Sequence, residues 1–282
     1  MGLSVFVTGA SGFIGSAVVQ ELLARGHRVT GLSRTEQGCV ALQAMGADAK
    51  RGDLSDPGGW STLATGADAA IHLGTGFGPD MAEIDDLALG ALIEAGKAGT
   101  RIIYTGGAWL FGTGKGQLIG PKTEFDPMPE FSWMVSGIKR LQAASVPHAV
   151  IHPAIVHNIT GGAFASFTSA LQAGRLPEIW GHEQIGWPLV HRRDLARAYR
   201  LVLEAPLATG SYTVAAEACV PVGRCVARLA ARLGRPTDWR VLSRSEVLHR
   251  HGAMAAGPMR DQAMGSGRIR EELGWRPVCA GI

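Results

Sequence analysis

Three glycines at Gly9-x-x-Gly12-x-x-Gly15 have a spacing that a particular chemistry demands. They lie in Val7-Thr8-Gly9-Ala10-Ser11-Gly12-Phe13-Ile14-Gly15, after an apolar run and before a helical pattern. In that context Gly9 permits a tight turn, Gly12 lets backbone approach a pyrophosphate, and Gly15 lets the helix pack on the strand. Ser11, Gly12, Phe13 and Ile14 then present backbone N–H groups at the positive end of a helix dipole. The chemistry implied is dinucleotide binding.

The end of the second apolar run selects among dinucleotides. An NAD site places a carboxylate there, on the ribose 2′-hydroxyl. This chain offers Ser33-Arg34-Thr35, with no acid until Glu36. A serine does not repel a 2′-phosphate, and a guanidinium clamps one or stacks on adenine, so NADP(H) is the expected cofactor. Asp53-Leu54 fits the adenine edge, although Asp53 serves equally as a turn or cap residue before Pro57. In His72-Leu73-Gly74-Thr75-Gly76, the residues Leu73, Gly74 and Thr75 suit a backbone passing under a ribose.

Elements that alternate as βαβ units must position these residues. Strands are expected at Leu3–Thr8, Val29–Leu32, Asp48–Arg51, Ala69–Leu73, Ile102–Thr105 and Ala149–His152. Helices are expected at Phe13–Ala24, Met81–Ala98 and around Phe131–Ser145. In the second of these, Ile84, Leu87, Leu92 and Ala95 are expected to face inward. From about Gly161 the rhythm changes to helices at Ala163–Ala173, Asp194–Glu204 and Val222–Leu233, with short strands near Trp187–Val190 and Ser211–Val214. The fold class is α/β, a Rossmann-type doubly wound parallel sheet with a smaller C-terminal substrate lobe. Residues 1–160 form the dinucleotide core, and 161–282 the lobe interleaved with it.

Composition narrows the function classes. A net charge of +3 with no basic run argues against nucleic acid and anionic membrane as partners. No apolar run reaches the ~20 residues that span a bilayer. Cys39, Cys219, Cys225 and Cys279 form no Cys-x-x-Cys pair, and the start of the chain lacks a basic flank and cleavage site, so the cytoplasm is the expected compartment. There is no Gly-x-Ser-x-Gly elbow, no His-Glu-x-x-His and no paired Cys/His spacing, so no metal is expected.

With these segments in place, the chain resembles the extended short-chain dehydrogenase/reductases, the superfamily of NAD-dependent epimerases and dehydratases. The marks are the glycine motif, Gly52-Asp53-Leu54, His72-Leu73-Gly74, Tyr104-Thr105-Gly106-Gly107-Ala108-Trp109 and His152-Pro153-Ala154-Ile155-Val156. Val190-His191-Arg192-Arg193-Asp194-Leu195-Ala196 and the terminal Leu273-Gly274-Trp275-x-Pro277 complete them. The resemblance implies that Pro153, Ala154, Ile155 and Val156 border the nicotinamide. It also implies a Ser or Thr after the fifth strand and a Tyr-x-x-x-Lys on the next helix. Here those positions hold Gly106, Trp133 and Gly137.

The triad is not displaced elsewhere. The three tyrosines, Tyr104, Tyr199 and Tyr212, are followed four residues later by Ala108, Leu203 and Ala216. Lys139 is two residues past Gly137, about 200° around the helix. An indole N–H does not replace a phenol as proton donor. Thr105, Thr75 and Ser136 are the nearest remaining hydroxyls, and Phe77, Trp109, Trp133, His157 and Trp187 are candidates to line an aromatic-friendly pocket. His148, His152 and His157 straddle a buried strand as packing or cofactor-adjacent residues, and His191 beside Asp194 fits a cap.

An intact cofactor skeleton without the triad looks like the atypical angucyclinone ketoreductases of the simocyclinone-biosynthesis type. That resemblance implies an NADPH-dependent reduction of a polycyclic aromatic ketone in antibiotic biosynthesis, with polarisation supplied by the substrate. The alternatives are a non-redox isomerase or cyclase, and a non-enzymatic NADP(H)-sensing regulator.

Overall fold

A computed structural model of the chain describes residues 2–76, 78–113, 116 and 118–279. They form two compact units. The first comprises Met1–Gly106, Trp133–His152 and Leu195–Tyr212; the second comprises Gly107–Ser132, Pro153–Asp194 and Thr213–Ile282. The interleaving therefore runs both ways along the sequence.

The strands in chain order are β1 (Ser4–Thr8), β2 (Arg28–Ser33), β3 (Asp48–Arg51), β4 (Ala69–His72), β5 (Arg101–Thr105), β6 (Leu118–Ile119) and β7 (His148–Pro153). They continue as β8 (Ile155–His157), β9 (Glu178–Trp180), β10 (Gly186–His191), β11 (Gly210–Val214), β12 (Glu217–Pro221), β13 (Arg240–Leu242) and β14 (Ala263–Met264). The seven-stranded sheet has the order β11-β7-β5-β4-β1-β2-β3. From β3 to β7 its neighbours pair in parallel. Val5, Phe6, Val7, Ala70, Ile71, Ile102 and Ile103 are buried, as expected for strands covered on both faces. The strand order reverses between β1 and β4, where Thr8 stands opposite His72. Ligands of open parallel sheets bind beyond the strand ends at such a reversal.

The first four helices are α1 (Gly15–Leu23), α2 (Glu36–Ala44), α3 (Ser61–Thr65) and α4 (Met81–Lys97). Helix α4 corrects one expectation. Its buried face is Asp85, Ala88, Leu89, Leu92, Ile93, Ala95 and Gly96, whereas Leu87 is 44% exposed and Ile84 only half-buried. The helix turns a carboxylate inward because both of its oxygens find donors there, as described below. A second correction concerns β11: the segment expected in the smaller lobe is instead an edge of the large sheet, beside β7. Short edge strands carry too little pattern to name their partner.

Helices α5 (Ser132–Ala143), α6 (Ala165–Gln172), α7 (Arg192–Glu204) and α8 (Val222–Arg232) follow, then α9 (Arg244–His251) and α10 (Gly267–Leu273). In the first unit, the Arg101 guanidinium at the start of β5 donates to the carbonyls of Leu203 at 3.2 Å, Ala205 at 2.7 Å and Ala208. These carbonyls lie at and beyond the C-terminus of α7, where backbone acceptors lack helical partners. Arg101→Met should therefore cost about 2–4 kcal/mol by stranding buried carbonyls. Urea unfolding checks this, with a loss under ~0.5 kcal/mol contradicting it.

The second unit holds a three-stranded sheet, β12-β10-β8, and the pairs β13-β9 and β14-β6. Its core gathers Phe164, Phe167, Leu171, Ile179, Trp187, Leu189 and Val220. Buried Gln262 donates to the carbonyls of Ala108 at 2.9 Å and Phe111 at 2.8 Å, fixing the 107–112 segment to this unit. The terminal motif is also explained. Gly274 ends α10 in the left-handed region at φ 63°, and buried Trp275 donates its indole N–H to the Asp194 carbonyl. The Asp194 carboxylate accepts from the N–H groups of Val278 and Cys279.

Candidate dinucleotide site and the missing triad

Strand β1 delivers its glycine loop at the strand reversal. Gly9 has φ +64°, and a Cβ there would lie 2.6 Å from the Gly74 nitrogen, so only glycine lets the loops after β1 and β4 touch. A Cβ on Gly15 would lie 2.1 Å from the Gly9 carbonyl oxygen, forcing the helix off the loop. At Gly12 the same test meets only the Gly9 oxygen, at 3.1 Å. Ser11 and Gly12 are exposed, while Phe13 and Ile14 are half-buried. The loop is held by packing at both ends and open in the middle.

The helix ends differ in a way that bears on ligand binding. Helix α1 has no side-chain hydrogen bond at its N-cap and no acid in its first turn. Helix α2 closes its own N-terminus, with the Thr35 hydroxyl accepting from Gly38 N–H at 3.1 Å. No side chain thus closes the α1 terminus, as a pyrophosphate site requires, while the Gly12 N–H, expected to face the ligand, donates to the Gly9 carbonyl at 3.0 Å.

Around the expected 2′-phosphate position, Ser33 is buried, 3.1 Å from the Ser11 hydroxyl and 3.3 Å from the Thr35 carbonyl. A Cβ on Gly38 would lie 2.0 Å from the Ser33 oxygen. Ser33 therefore braces the glycine loop against α2, and Arg34 is exposed beside it. Asp53 makes a turn, accepting from the N–H and hydroxyl of Ser55, both at 2.9 Å. The Ser55 N–H is the main influence holding its carboxyl below the usual range, burial opposes it, and the Ser55 hydroxyl and Arg34 add to the lowering. Leu54 reaches Gly74: a Cβ there would meet the Leu54 side chain at 2.8 Å. The fold thus brings Gly9, Leu73, Gly74 and Leu54 together, and Ser11 with Ser33.

Behind the loop runs a buried hydrogen-bonded chain that the sequence reading does not identify. The Thr8 hydroxyl oxygen accepts from Leu73 N–H at 3.2 Å and Gly74 N–H at 3.1 Å. With both lone pairs used, its own proton points to His72 Nδ1, 2.7 Å away. His72 Nε2 then carries the ring proton and donates to Asp85 Oδ1 at 3.0 Å. Tyr104 donates to Asp85 Oδ2 at 2.8 Å. Burial, then the Asp85 charge and hydrogen bond, push the Tyr104 phenol well above its ordinary range. Asp85 was detectable in the sequence. It stands three, four and seven residues before Ala88, Leu89 and Leu92, on the apolar stripe itself.

The hydroxyls near the expected triad are similarly engaged. Thr105 donates to the His72 carbonyl at 2.6 Å, so Tyr199, 2.7 Å away, is the donor to Thr105. Tyr199 is wholly buried, which raises its pKa above the usual phenol range. Gly106 extends the β5–β7 ladder, donating to the Ile151 carbonyl at 2.8 Å. Trp133 is half-buried in the first turn of α5. Gly137 is buried, and a Cβ there would lie 3.5 Å from the Tyr104 oxygen and 3.7 Å from Asp85 Oδ2. Thr75 and Ser136 are exposed, Thr75 donating to the Gly76 carbonyl at 3.2 Å. Phe77 lies outside the described residues.

In the second unit, Ala154 N–H binds the Val214 carbonyl, and Ile155 and Val156 pair with Leu189 and Val190. Pro153 closes β7. His157 stands opposite His191 in register, their rings 5.7 Å apart. Burial, then the neighbouring His191, pushes His157 down to about 4. Burial also lowers His191, whose Nδ1 accepts from Arg193 N–H as a cap for α7. His152, in the first unit, is pushed by burial down to about 3. Trp187 stacks on Phe167 and donates to the Pro258 carbonyl at 2.8 Å, which makes it core rather than pocket wall. Half-buried Trp109 packs on Phe131, and Gly257 gives it room, since a Cβ there would lie 2.6 Å from the indole. Among the described residues, no three His, Cys, Asp or Glu side chains are placed to hold a metal, and no helix is long and apolar enough to cross a membrane.

Comparison with known proteins agrees with this geometry. Residues 5–132 match the model of the NAD dependent epimerase/dehydratase family. The uncharacterized protein YLL056C of Saccharomyces cerevisiae is 30% identical, spanning 99% of this chain and 96% of its own length. A 2-alkyl-3-oxoalkanoate reductase of Stenotrophomonas maltophilia is 38% identical over 76 residues, 27% of this chain and 22% of that protein. The crystal structure of dTDP-glucose 4,6-dehydratase from Bacillus anthracis, in complex with NAD, superposes with a TM-score of 0.85. It covers 99% of this chain and 92% of that one at 14% identity, a likeness of fold.

Proposed function

The chain belongs to the NAD-dependent epimerase/dehydratase family, and from that premise we propose that it is an NADPH-dependent reductase of a ketone on a polycyclic aromatic skeleton. The observation carrying this reading is an intact phosphate loop beside hydroxyls that are already committed. Thr105 donates to a backbone carbonyl, Tyr199 to Thr105, and Tyr104 to Asp85. A site so arranged favours a substrate that polarises its own carbonyl. A ketone flanked by a phenol does so, through an internal O–H···O bond that stabilises the developing alkoxide.

When bound, the cofactor supplies the hydride. The chain's own contribution is to bind and orient. The N–H groups at the α1 terminus would hold the pyrophosphate, and Arg34 the 2′-phosphate. Pro153–Val156 would border the nicotinamide. An angucyclinone-type substrate, and a place in antibiotic biosynthesis, follow from the resemblance stated above. The reductase named for Stenotrophomonas maltophilia supports ketone reduction over the matched quarter of the chain.

The test is a fluorescence titration with both dinucleotides. NADPH should bind roughly tenfold or more tightly than NADH, and Arg34→Ala should collapse that ratio toward one. Equal affinities in the native protein, or a ratio unmoved in the variant, would count against the NADP(H) assignment.

A further inference from the structure

We propose that Asp85, acting through His72 and Thr8, is a positioning residue for the dinucleotide, an inference resting on the cofactor reading above. Its carboxylate fixes the His72 ring as the Nε2–H tautomer, which leaves Nδ1 to accept the Thr8 proton. That fixes the Thr8 oxygen as acceptor for both Leu73 and Gly74 N–H. Thr8 is the residue before Gly9, and Gly74 is the residue against which Gly9 packs. The loops after β1 and β4 are thereby set in one mutual geometry by a carboxylate on α4. Thr8, His72 and Asp85 are each at most 4% exposed, so water does not compete for these bonds.

Without the carboxylate, nothing holds the His72 proton at Nε2, and the reverse tautomer becomes accessible. Its Nδ1–H would then donate to Thr8, whose oxygen could no longer serve both amides. Tyr104 braces the other carboxylate oxygen and lies off this path. Tyr104→Phe is therefore the background for the test, because it avoids a stranded phenol when Asp85 changes.

NADPH affinity should be close to native in Tyr104→Phe. Adding Asp85→Leu should weaken it about tenfold, and Asp85→Asn, whose amide oxygen still accepts from His72, should restore most of it. Amide exchange of Gly74 should quicken in the leucine variant while that of Ile103 in β5 is unchanged, since merely structural loosening would quicken both; Leu73 N–H keeps a second acceptor, the Thr8 carbonyl at 3.3 Å. If the leucine variant does not fold, Thr8→Val against Thr8→Ser makes the same comparison, valine weakening binding and serine preserving it. Native affinity in the folded leucine variant, asparagine as damaging as leucine, or valine and serine alike overturns the proposal. A native protein that binds neither NADPH nor NADH overturns the cofactor reading instead. Exchange at Gly74 then still decides whether the relay exists, and unchanged exchange refutes it.

Discussion

Gly12→Val should lower NADPH affinity by ~10²-fold or more while leaving the circular dichroism spectrum and melting temperature close to native. The two halves of this expectation have separate causes. A side chain at residue 12 meets little of the protein itself, since its Cβ would contact only the Gly9 carbonyl oxygen, at 3.1 Å. Residue 12 is exposed in the loop that opens α1, whose N–H groups would make charge-assisted bonds to the pyrophosphate. Gly15→Val gives the internal contrast. Its Cβ would lie 2.1 Å from backbone, so that variant should lose its fold along with its ligand. A folded Gly12→Val that binds NADPH normally would mean that the pyrophosphate sits elsewhere.

That contrast also marks what could be read in the sequence. Gly9, Gly12 and Gly15 are legible because backbone constraints act over a few residues and leave a fixed spacing. The strands β1, β4 and β5 are legible because burial on both faces leaves nearly continuous apolar runs. The placement of β11 is not, since its partner β7 is settled by tertiary packing and not by its own five residues. The inward face of α4 departs from the expected one at Ile84 and Leu87 for a related reason, while Leu92 and Ala95 are buried as expected. Ranking by hydrophobicity favours Leu87, but the stripe through Ala88, Leu89 and Leu92 includes Asp85, which becomes tolerable only when His72 and Tyr104 arrive from other strands. Trp187 shows the opposite case. Its indole is as apolar as a pocket wall would need, and only Phe167 and the Pro258 carbonyl reveal it as core. Roles resting on one residue's local geometry were legible; roles resting on a distant partner were not.

The committed state of the hydroxyls leads to the second large effect. With Thr105 already donating to the His72 carbonyl, Thr105→Val should reduce turnover by less than about tenfold, well short of the ~10²–10⁴-fold cost of losing a general acid. Thr75→Ala and Ser136→Ala should do no more, because both side chains are exposed and one is bonded to its own neighbour. The large change should come from the substrate instead. Methylating the phenol beside the ketone removes the internal hydrogen bond, and turnover should then fall ~10²-fold or more while binding persists. Single-turnover kinetics with native and methylated substrate separate these effects, since a loss in the chemical step appears at saturating ligand. His191 is the most informative protein control. Its Nδ1 accepts from Arg193 N–H, which leaves Nε2 as the ring's proton-bearing atom, and burial holds its pKa below the ordinary value. If His191→Gln abolishes turnover while the methylated substrate is reduced at the native rate, the acid is supplied by the protein. The substrate-assisted mechanism then fails, and the NADPH-dependent reductase reading survives it.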